Sequence, residues 1–351
     1  MSAVAEPVSF GTGVPTSAAA RTWRRLKRDR LALGSGLVIV FVFLLCFVVE
    51  PIAERLLGHG PNTLFPYASS DPYEFRPAGL WAHVPDVHAT GTVTASTPRT
   101  LLVLGADGPL GRDEFLRLLA GGRTSLEIAL GATVLAVLIG TTLGAVAGFF
   151  GGWLDWTISR VTEFVMGFPI LFFVVVVGLT QLSTKLDHVT VHGLVVRGVV
   201  VLVVLIGLFN WFYIARIVRA QVLSLRHQEF VEAARMIGAS DWYIVRKHVF
   251  PHLVGSIVVY GSLVVATTMI LEAALSFIGL GIELPDASWG NMLSQKWGTL
   301  LLPATQIPQP ETVHTSTWLF VWPTAAVFVT VFAFALFGEG LRRAFDPHGS
   351  E

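Results

Sequence analysis

Residues capable of covalent or acid–base chemistry are present in this chain but are not grouped. The ten histidines are dispersed. His59, His83 and His88 have no spacing that sets two of them on one face of an element, so they read as surface histidines and no metal site is expected. Cys46 is the single cysteine, which excludes an intramolecular disulfide framework and a multi-cysteine zinc site. Neither G-x-S-x-G nor H-E-x-x-H occurs, so no serine nucleophile or zinc hydrolase is set up. A phosphate-binding P-loop needs Gly directly before Lys. Lys27, Lys185, Lys247 and Lys296 follow Leu26, Thr184, Arg246 and Gln295. The chain is therefore expected not to be an enzyme and not to hydrolyse ATP itself. The other polar candidates lie in apolar surroundings, where a polar group normally faces protein or water. They are Asn210, Glu272, Ser276 and Trp289. Glu272 reads either as a hydrogen-bond brace near the outer surface or as part of a transport route. Trp289 reads first as an interfacial anchor and second as an outer gate.

The elements that must hold these groups are membrane spans. The 351 residues are 53% hydrophobic and 14% charged, about half the charge of an ordinary soluble domain. With 24 basic and 24 acidic residues the net charge is zero, so no nucleic-acid partner is expected. Six uncharged, mostly apolar runs are about as long as a bilayer is thick. They are Leu31–Val49, Ile128–Leu154, Phe164–Thr184, Gly198–Ala215, Leu253–Leu271 and Thr315–Gly338. Lipid leaves open backbone groups unsatisfied, and the runs do not alternate as barrel strands do. The expected fold is an all-α polytopic membrane protein with six transmembrane helices. Lys and Arg crowd three flanks: before the first run, between the fourth and fifth, and after the sixth. The positive-inside rule places these flanks, with both termini, in the cytoplasm. A cleaved signal is not expected, because no A-x-A-like site follows the first run.

The boundaries that follow are a cytoplasmic tail (1–30), a first span (31–49), an external segment (50–123), a core of five spans (124–343) and a cytoplasmic tail (344–351). The external segment is rich in Pro, His, Asp and Thr. It reads as an irregular cap with a short strand at Thr100–Leu104. Within 111–123, Phe115, Leu118 and Leu119 recur at helical spacing. They predict a short amphipathic helix lying at the interface before the second span. In that span Gly140, Gly144 and Gly148 form a doubled G-x-x-x-G, which lets another helix pack closely. Pro169 should kink or break the third span, and Pro251 should mark the start of the fifth.

The loop 216–251 carries the clearest pattern. Its middle reads as a helix ending at Gly238, which is free to take positive φ. Ser240 can cap a second helix, with Asp241 in its first turn. Ala233 and Ala234 carry little side chain, so another surface can approach the backbone. A helix-turn-helix joined to two spans suits a docking handle; the plainer alternative is a helix lying on the membrane surface.

Here the chain resembles a known family. Glu232-Ala233-Ala234, then Gly238, then Pro251 resembles the EAA loop of ABC-importer permeases. His248 stands where the general pattern has Ile, as in the peptide and nickel subgroup. Leu110-Gly111-Arg112-Asp113 resembles that subgroup's LGRD segment. Leu271–Gly281 with Ser288–Leu293 resembles its ESSLSFLGLG…SWGNML block, and Gly338–Pro347 resembles its GDGLRDALDP tail. The chain departs from the pattern between Glu50 and Leu104, which is longer than usual.

The resemblance implies the type I ABC-importer permease architecture and the C-type permease subunit of a peptide importer. The same assembly importing nickel or another small solute is the alternative. It also implies partners: a second permease subunit in a heterodimer, two cytoplasmic ATPase subunits that carry ATP and Mg, and an extracytoplasmic substrate-binding protein. By position, Glu232, Ala233, Ala234, Arg235, Gly238, Ser240 and Asp241 would couple to the ATPase, with Pro169 and Pro251 as hinges. A secondary transporter or channel would instead predict an internal repeat and intramembrane ionisable residues, and a membrane enzyme would need a clustered constellation.

Overall fold

A computed structural model describes residues 18–65, 78–86, 97–107, 111–170, 172–173, 198–300 and 317–345, without the side chains of 18–21, 296–300 and 317–318. The elements are α1 (Ala18–Arg28), α2 (Arg30–Leu57), β1 (Ala82–Pro85), β2 (Arg99–Leu102), α3 (Glu114–Phe150), α4 (Gly152–Gly167), α5 (Val199–Leu225), α6 (Glu229–Met236), α7 (Asp241–Phe277), α8 (Trp289–Leu300) and α9 (Thr317–Phe345). Among the described residues, α2, α3, α5, α7 and α9 are long and apolar enough to cross a membrane. The third apolar run, Phe164–Thr184, lies mostly outside the described residues, as do residues 1–17 of the N-terminal tail and the residues after Phe345.

Two prolines lie inside continuous helices without breaking them. Pro51 lies inside α2 and Pro251 inside α7, each just after a π-turn, Leu45–Val49 and Val245–Val249. The N–H of Glu50 reaches Leu45 O, and that of Phe250 reaches Val245 O. A proline ring collides with the carbonyl four residues back in an α-helix and offers it no N–H. One widened turn removes both difficulties. Pro251 therefore does not begin a helix, which already starts at Asp241. Pro169 does break one. Phe168 is extended (φ −93°, ψ 123°) at the end of α4, and the N–H groups of Phe172 and Phe173 return to Pro169 O to start a new turn.

The predicted interfacial helix over 111–123 is not separate. It is the first part of the continuous, 37-residue α3. Asp113 caps it, accepting from Phe115 N at 2.8 Å and Leu116 N at 3.2 Å. Leu116, Arg117 and Leu119 are buried, so this stretch meets protein rather than a headgroup layer. The described parts of the external segment hold more regular structure than the single short strand expected at Thr100–Leu104. The helix of α2 runs on to Leu57, and β2 pairs antiparallel with β1 with Ala82 opposite Leu102. Phe65, Ala78, Val84, Leu102 and Ala106 give the hairpin its own small core.

α3 is the axis of the bundle. Its glycine stripe lies against α5: a Cβ on Gly140 would stand 2.5 Å from Trp211 O, one on Gly144 2.5 Å from Ala215 O, and one on Gly148 2.8 Å from Arg219 O. Only a missing side chain permits that approach. Beyond it, α2, α7, α8 and α9 close around the Glu114 half of α3 through Cys46, Leu126, Met269, Trp289 and Phe334. At the Phe150 end, α6 and the start of α7 complete the core through Phe149, Val222, Val231, Ile244 and Leu253. The bundle thus has a hairpin end and an α6 end.

Candidate functional site

The α6 end is built from the last turns of α5 upward. Arg219 in α5 forms a two-pronged ion pair with Asp155 in α4, with Nη2 to Oδ2 at 2.8 Å. The hydrogen bond from Arg219 holds the Asp155 carboxyl below the usual carboxylate range, against the opposing effect of burial. Arg226 Nη1 donates to Gly148 O at 3.2 Å, tying the end of α5 to the end of α3. The chain then turns into α6.

α6 ends in a Schellman arrangement: Ala239 N donates to Ala234 O at 3.0 Å across Gly238, whose φ is +84°. That φ is strained for any residue with a Cβ. Ser240 then caps α7, its Oγ accepting from Tyr243 N at 3.4 Å, with Asp241 in the first turn. These local features agree with the spacing in the sequence.

The two faces of α6 differ sharply. Val231 and Ala234 are buried with Phe149, Ile214, Val218 and Val222. Glu232, Ala233, Arg235, Gly238, Ser240 and Asp241 are exposed. So are Met236 (83%), Ile237 (85%), Trp242 (64%) and Tyr243. Ala234, expected to offer a bare backbone to a partner, instead faces inward, because its helical position falls on the core stripe with Val231. Arg235, expected to reach outward, holds its guanidinium 5.4 Å from the centre of the Phe149 ring of its own chain, a cation–π contact. Met236, Ile237, Trp242 and Tyr243 are docking candidates that spacing alone did not single out. Their signal is four large apolar residues beside a turn that no span can cover.

Of the four polar candidates, Glu272, Ser276 and Trp289 come together and Asn210 does not join them. Glu272 (1% exposed) accepts from Ser276 Oγ at 2.7 Å, with Ser125 and Ser288 also bonding to it. Trp289 is 2% exposed, not an interfacial anchor: its N–H bonds to Ser125 Oγ at 3.2 Å and its Nε1 to Leu118 O at 2.9 Å. Glu272, Ser276 and Trp289 thus form a buried brace between α3, α7 and α8, the first of the two readings given for Glu272. Asn210 lies apart, its Nδ2 3.4 Å from Thr268 Oγ1. The block around Ser288 is a reciprocal cap, since Ser288 N donates to Asn291 Oδ1 and Asn291 N to Ser288 Oγ.

The same end holds a buried ionic knot in which Gly111-Arg112-Asp113 takes part. Arg112 Nη2 pairs with Asp107 at 2.5 Å and donates to Gln295 Oε1 at 2.6 Å. Arg117 Nε pairs with the same carboxylate at 3.1 Å, and its Nη1 reaches Asn62 Oδ1 and Pro285 O. The knot therefore joins three distant stretches of chain, around Asn62, Asp107–Arg117 and Pro285–Gln295. His59 Nε2 meets Asp113 Oδ2 at 3.0 Å. Burial lowers the affinity of His59 for a proton, but the hydrogen bond and charge of Asp113 outweigh it, with smaller contributions from the Leu57 carbonyl and Asp86, so its pKa lies above the usual value of 6.5. A pKa raised on folding stabilises the fold fully below the unfolded value, and that contribution fades as pH rises through the folded value. The thermal stability of the wild type should therefore exceed that of His59→Ala most at about pH 6 and least at about pH 9. A margin that grew with pH would contradict this.

Sequence reasoning also missed a cavity of about 370 Å³ between α4 and α5, lined by Ser159, Thr162, Glu163, Met166, Arg216 and Arg219. Its signal was available: Asp155, Ser159, Thr162 and Glu163 recur at helical spacing just before the third apolar run.

Comparison with known proteins agrees with this architecture. Residues 140–349 match the family of binding-protein-dependent transport system inner membrane components. Residues 17–75 match the N-terminal TM domain of oligopeptide transport permease C. The chain is 31% identical over 325 residues to the glutathione transport system permease protein GsiD of Pectobacterium atrosepticum, covering 93% of this chain and 89% of that one. It is 33% identical over 327 residues to the oligopeptide transport system permease protein OppC of Escherichia coli K12, covering 92% and 89%. It is 37% identical over 237 residues to OppC of Haemophilus influenzae, covering 68% of each. With the spans, the α6 loop and the family match all on one chain, the protein belongs to the binding-protein-dependent transport system inner membrane components.

Proposed function

We propose that this chain is the C-type permease subunit of an ATP-driven peptide importer, with its α6 end docked on cytoplasmic ATPase subunits. The observation that carries this reading is the split character of α6. Its buried face is continuous with the core of three spans, and its exposed face presents Glu232, Ala233 and Met236, continued by Ile237 in the turn and Trp242 at the start of α7. A push on that face moves α3, α5 and α7 together, because interfaces this well packed shift as units. The relatives named for oligopeptide and glutathione transport support a peptide as cargo.

In this reading ATP and Mg are bound by two partner ATPase subunits, and this chain hydrolyses nothing. A second permease subunit supplies the other half of the route, and an extracytoplasmic binding protein delivers the peptide. Both termini and the α6 loop face the cytoplasm. Three basic clusters lie at the α6 end of the bundle: Arg24–Arg30, Arg216–Lys247 and Arg342-Arg343, where the positive-inside rule would set them.

The test is to purify the intact complex from its native host and identify by mass spectrometry both its subunits and what its binding protein retains. Two ATPases, a second permease and bound short peptides are expected. A complex with no ATPase, or a binding protein loaded with metal or sugar instead of peptide, would overturn the assembly or the cargo respectively.

A further inference from the structure

The first and last described helices meet at one corner of the α6 end. Leu26 of α1 is buried against Ala32, Val259, Leu341 and Ala344. Asp29, extended at ψ 102°, separates α1 from α2. Its carboxylate caps α2 through Leu31 N and Ala32 N and pairs with Arg343 Nη2 at 3.1 Å. α1 is therefore not the first turn of a span. It is a separate helix set against the end of α9 by the burial of Leu26 and by the Asp29–Arg343 ion pair of the turn that follows it.

The surface of this corner is strongly basic. Arg24, Arg25, Lys27, Arg28 and Arg30 lie at the same corner as Arg342 and Arg343, and among the described residues of α1, its turn and the end of α9 the carboxylates are Asp29 and Glu339. Trp23 is 54% exposed, with Lys27 Nζ 5.1 Å from its ring centre. An exposed tryptophan beside lysine and arginine suits the headgroup layer, where the ring sits among glycerol groups and the charged ends reach phosphates. Arg342 also lines a recess of about 210 Å³ with Gln221, Ser256, Tyr260 and Phe345. This recess sets hydroxyl and amide groups beside a guanidinium that also pairs with Glu339 through Nε and Nη2. The charge, the tryptophan and the recess select the same chemistry, a phosphate ester attached to an apolar tail.

We propose that the corner formed by α1, the Asp29 turn and the end of α9 binds anionic phospholipid headgroups of the cytoplasmic leaflet and so clamps the first span to the last. The proposal rests on the cytoplasmic placement of the α6 end given above. Each surface cation near an anionic leaflet strengthens binding by about fivefold.

The test uses the full chain in its complex, in nanodiscs of phosphatidylcholine with and without phosphatidylglycerol. Retained lipid is read by native mass spectrometry. The wild type should retain phosphatidylglycerol selectively, and retention should fall as salt is raised. The triple variant Arg24→Gln, Lys27→Gln, Arg28→Gln should lose it by about a hundredfold. The charge-preserving triple Arg24→Lys, Lys27→Arg, Arg28→Lys should keep it. Equal retention by wild type and Gln variant, or salt-independent retention, would overturn the proposal. So would unchanged lipid retention with loss of the ATPase subunits, which would make the corner a protein-docking surface.

Sidedness is read separately. Cys46 is buried, so a Trp23→Cys protein reports only on this corner to an impermeant maleimide. Labelling from the cytoplasmic side supports the placement. Labelling only from outside would overturn the placement and the proposal with it, whereas failed lipid selectivity with cytoplasmic labelling would overturn the lipid proposal alone.

Discussion

Ala233→Trp is expected to abolish peptide-stimulated ATP hydrolysis and transport while leaving the permease folded. Ala233 is on the exposed face of α6, between Glu232 and the buried Ala234. An indole there points away from the core and costs the fold within about 0.5 kcal/mol, as surface substitutions do. On the proposed docking face it stands where a partner's surface would have to come close to the helix backbone. Overpacking a complementary contact costs about 1–3 kcal/mol and more where neither side can yield, which is a loss of docking affinity of about fivefold to about 150-fold.

The neighbouring change is the control. Ala234→Trp forces the same ring into the cluster of Phe149, Val218 and Val222 and should lower the yield of folded protein. The two variants therefore separate docking from folding on adjacent residues of one helix. The measurement is size-exclusion behaviour of the isolated permease, followed by ATPase activity of the reconstituted complex. An Ala233→Trp complex with normal peptide-stimulated hydrolysis would exclude this face as the coupling surface.

The contrast between Ala233 and Ala234 also shows what the sequence made legible. Features set within a few residues could be read directly: the apolar runs, the end of α6 at Gly238, the Ser240 cap and the break at Pro169 all depend on neighbours along the chain. Features set by distant residues could not. Trp289 reads as an interfacial anchor until Gly122 and Cys46 are seen to open a slot for it. A Cβ on Gly122 would stand 2.6 Å from the indole and 2.5 Å from Cys46 Sγ. Glu272 likewise could not be assigned to a brace from its own span, because Ser125 and Ser288 come from other elements. The two π-turns are an intermediate case. Pro51 and Pro251 were visible, but whether a helix breaks at a proline or widens around it depends on what packs against the turn. Buried Val245 and Val249 hold the second turn in the core, and a broken helix would expose them.

The glycine stripe of α3 offers the second large effect, on folding rather than coupling. Gly144→Ala is expected to destabilise the permease by about 1–3 kcal/mol, the range for overpacking a tight contact. The added Cβ would meet Ala215 O at 2.5 Å and Ala215 Cα at 3.0 Å. Both are backbone atoms of α5, so relief requires the helices to separate. Gly261 in α7 supplies the matched control. It too is a buried glycine in a spanning helix, but its nearest prospective contact is Val137 Cγ2 at 3.7 Å. Gly261→Ala should therefore be neutral or stabilising by up to about 1 kcal/mol, the helix propensity gained over glycine. Opposite signs for one chemical change would show that the stripe acts through α3–α5 separation and not through glycine as such. Fraction folded after a heat step, read by fluorescence size-exclusion chromatography, measures both. The double variant Gly140→Ala, Gly144→Ala sharpens the point. If the first methyl already moves α5 away, the second finds room and the pair costs less than the sum of the singles. Strict additivity would mean that each contact relaxes locally and that the two helices do not move as rigid bodies.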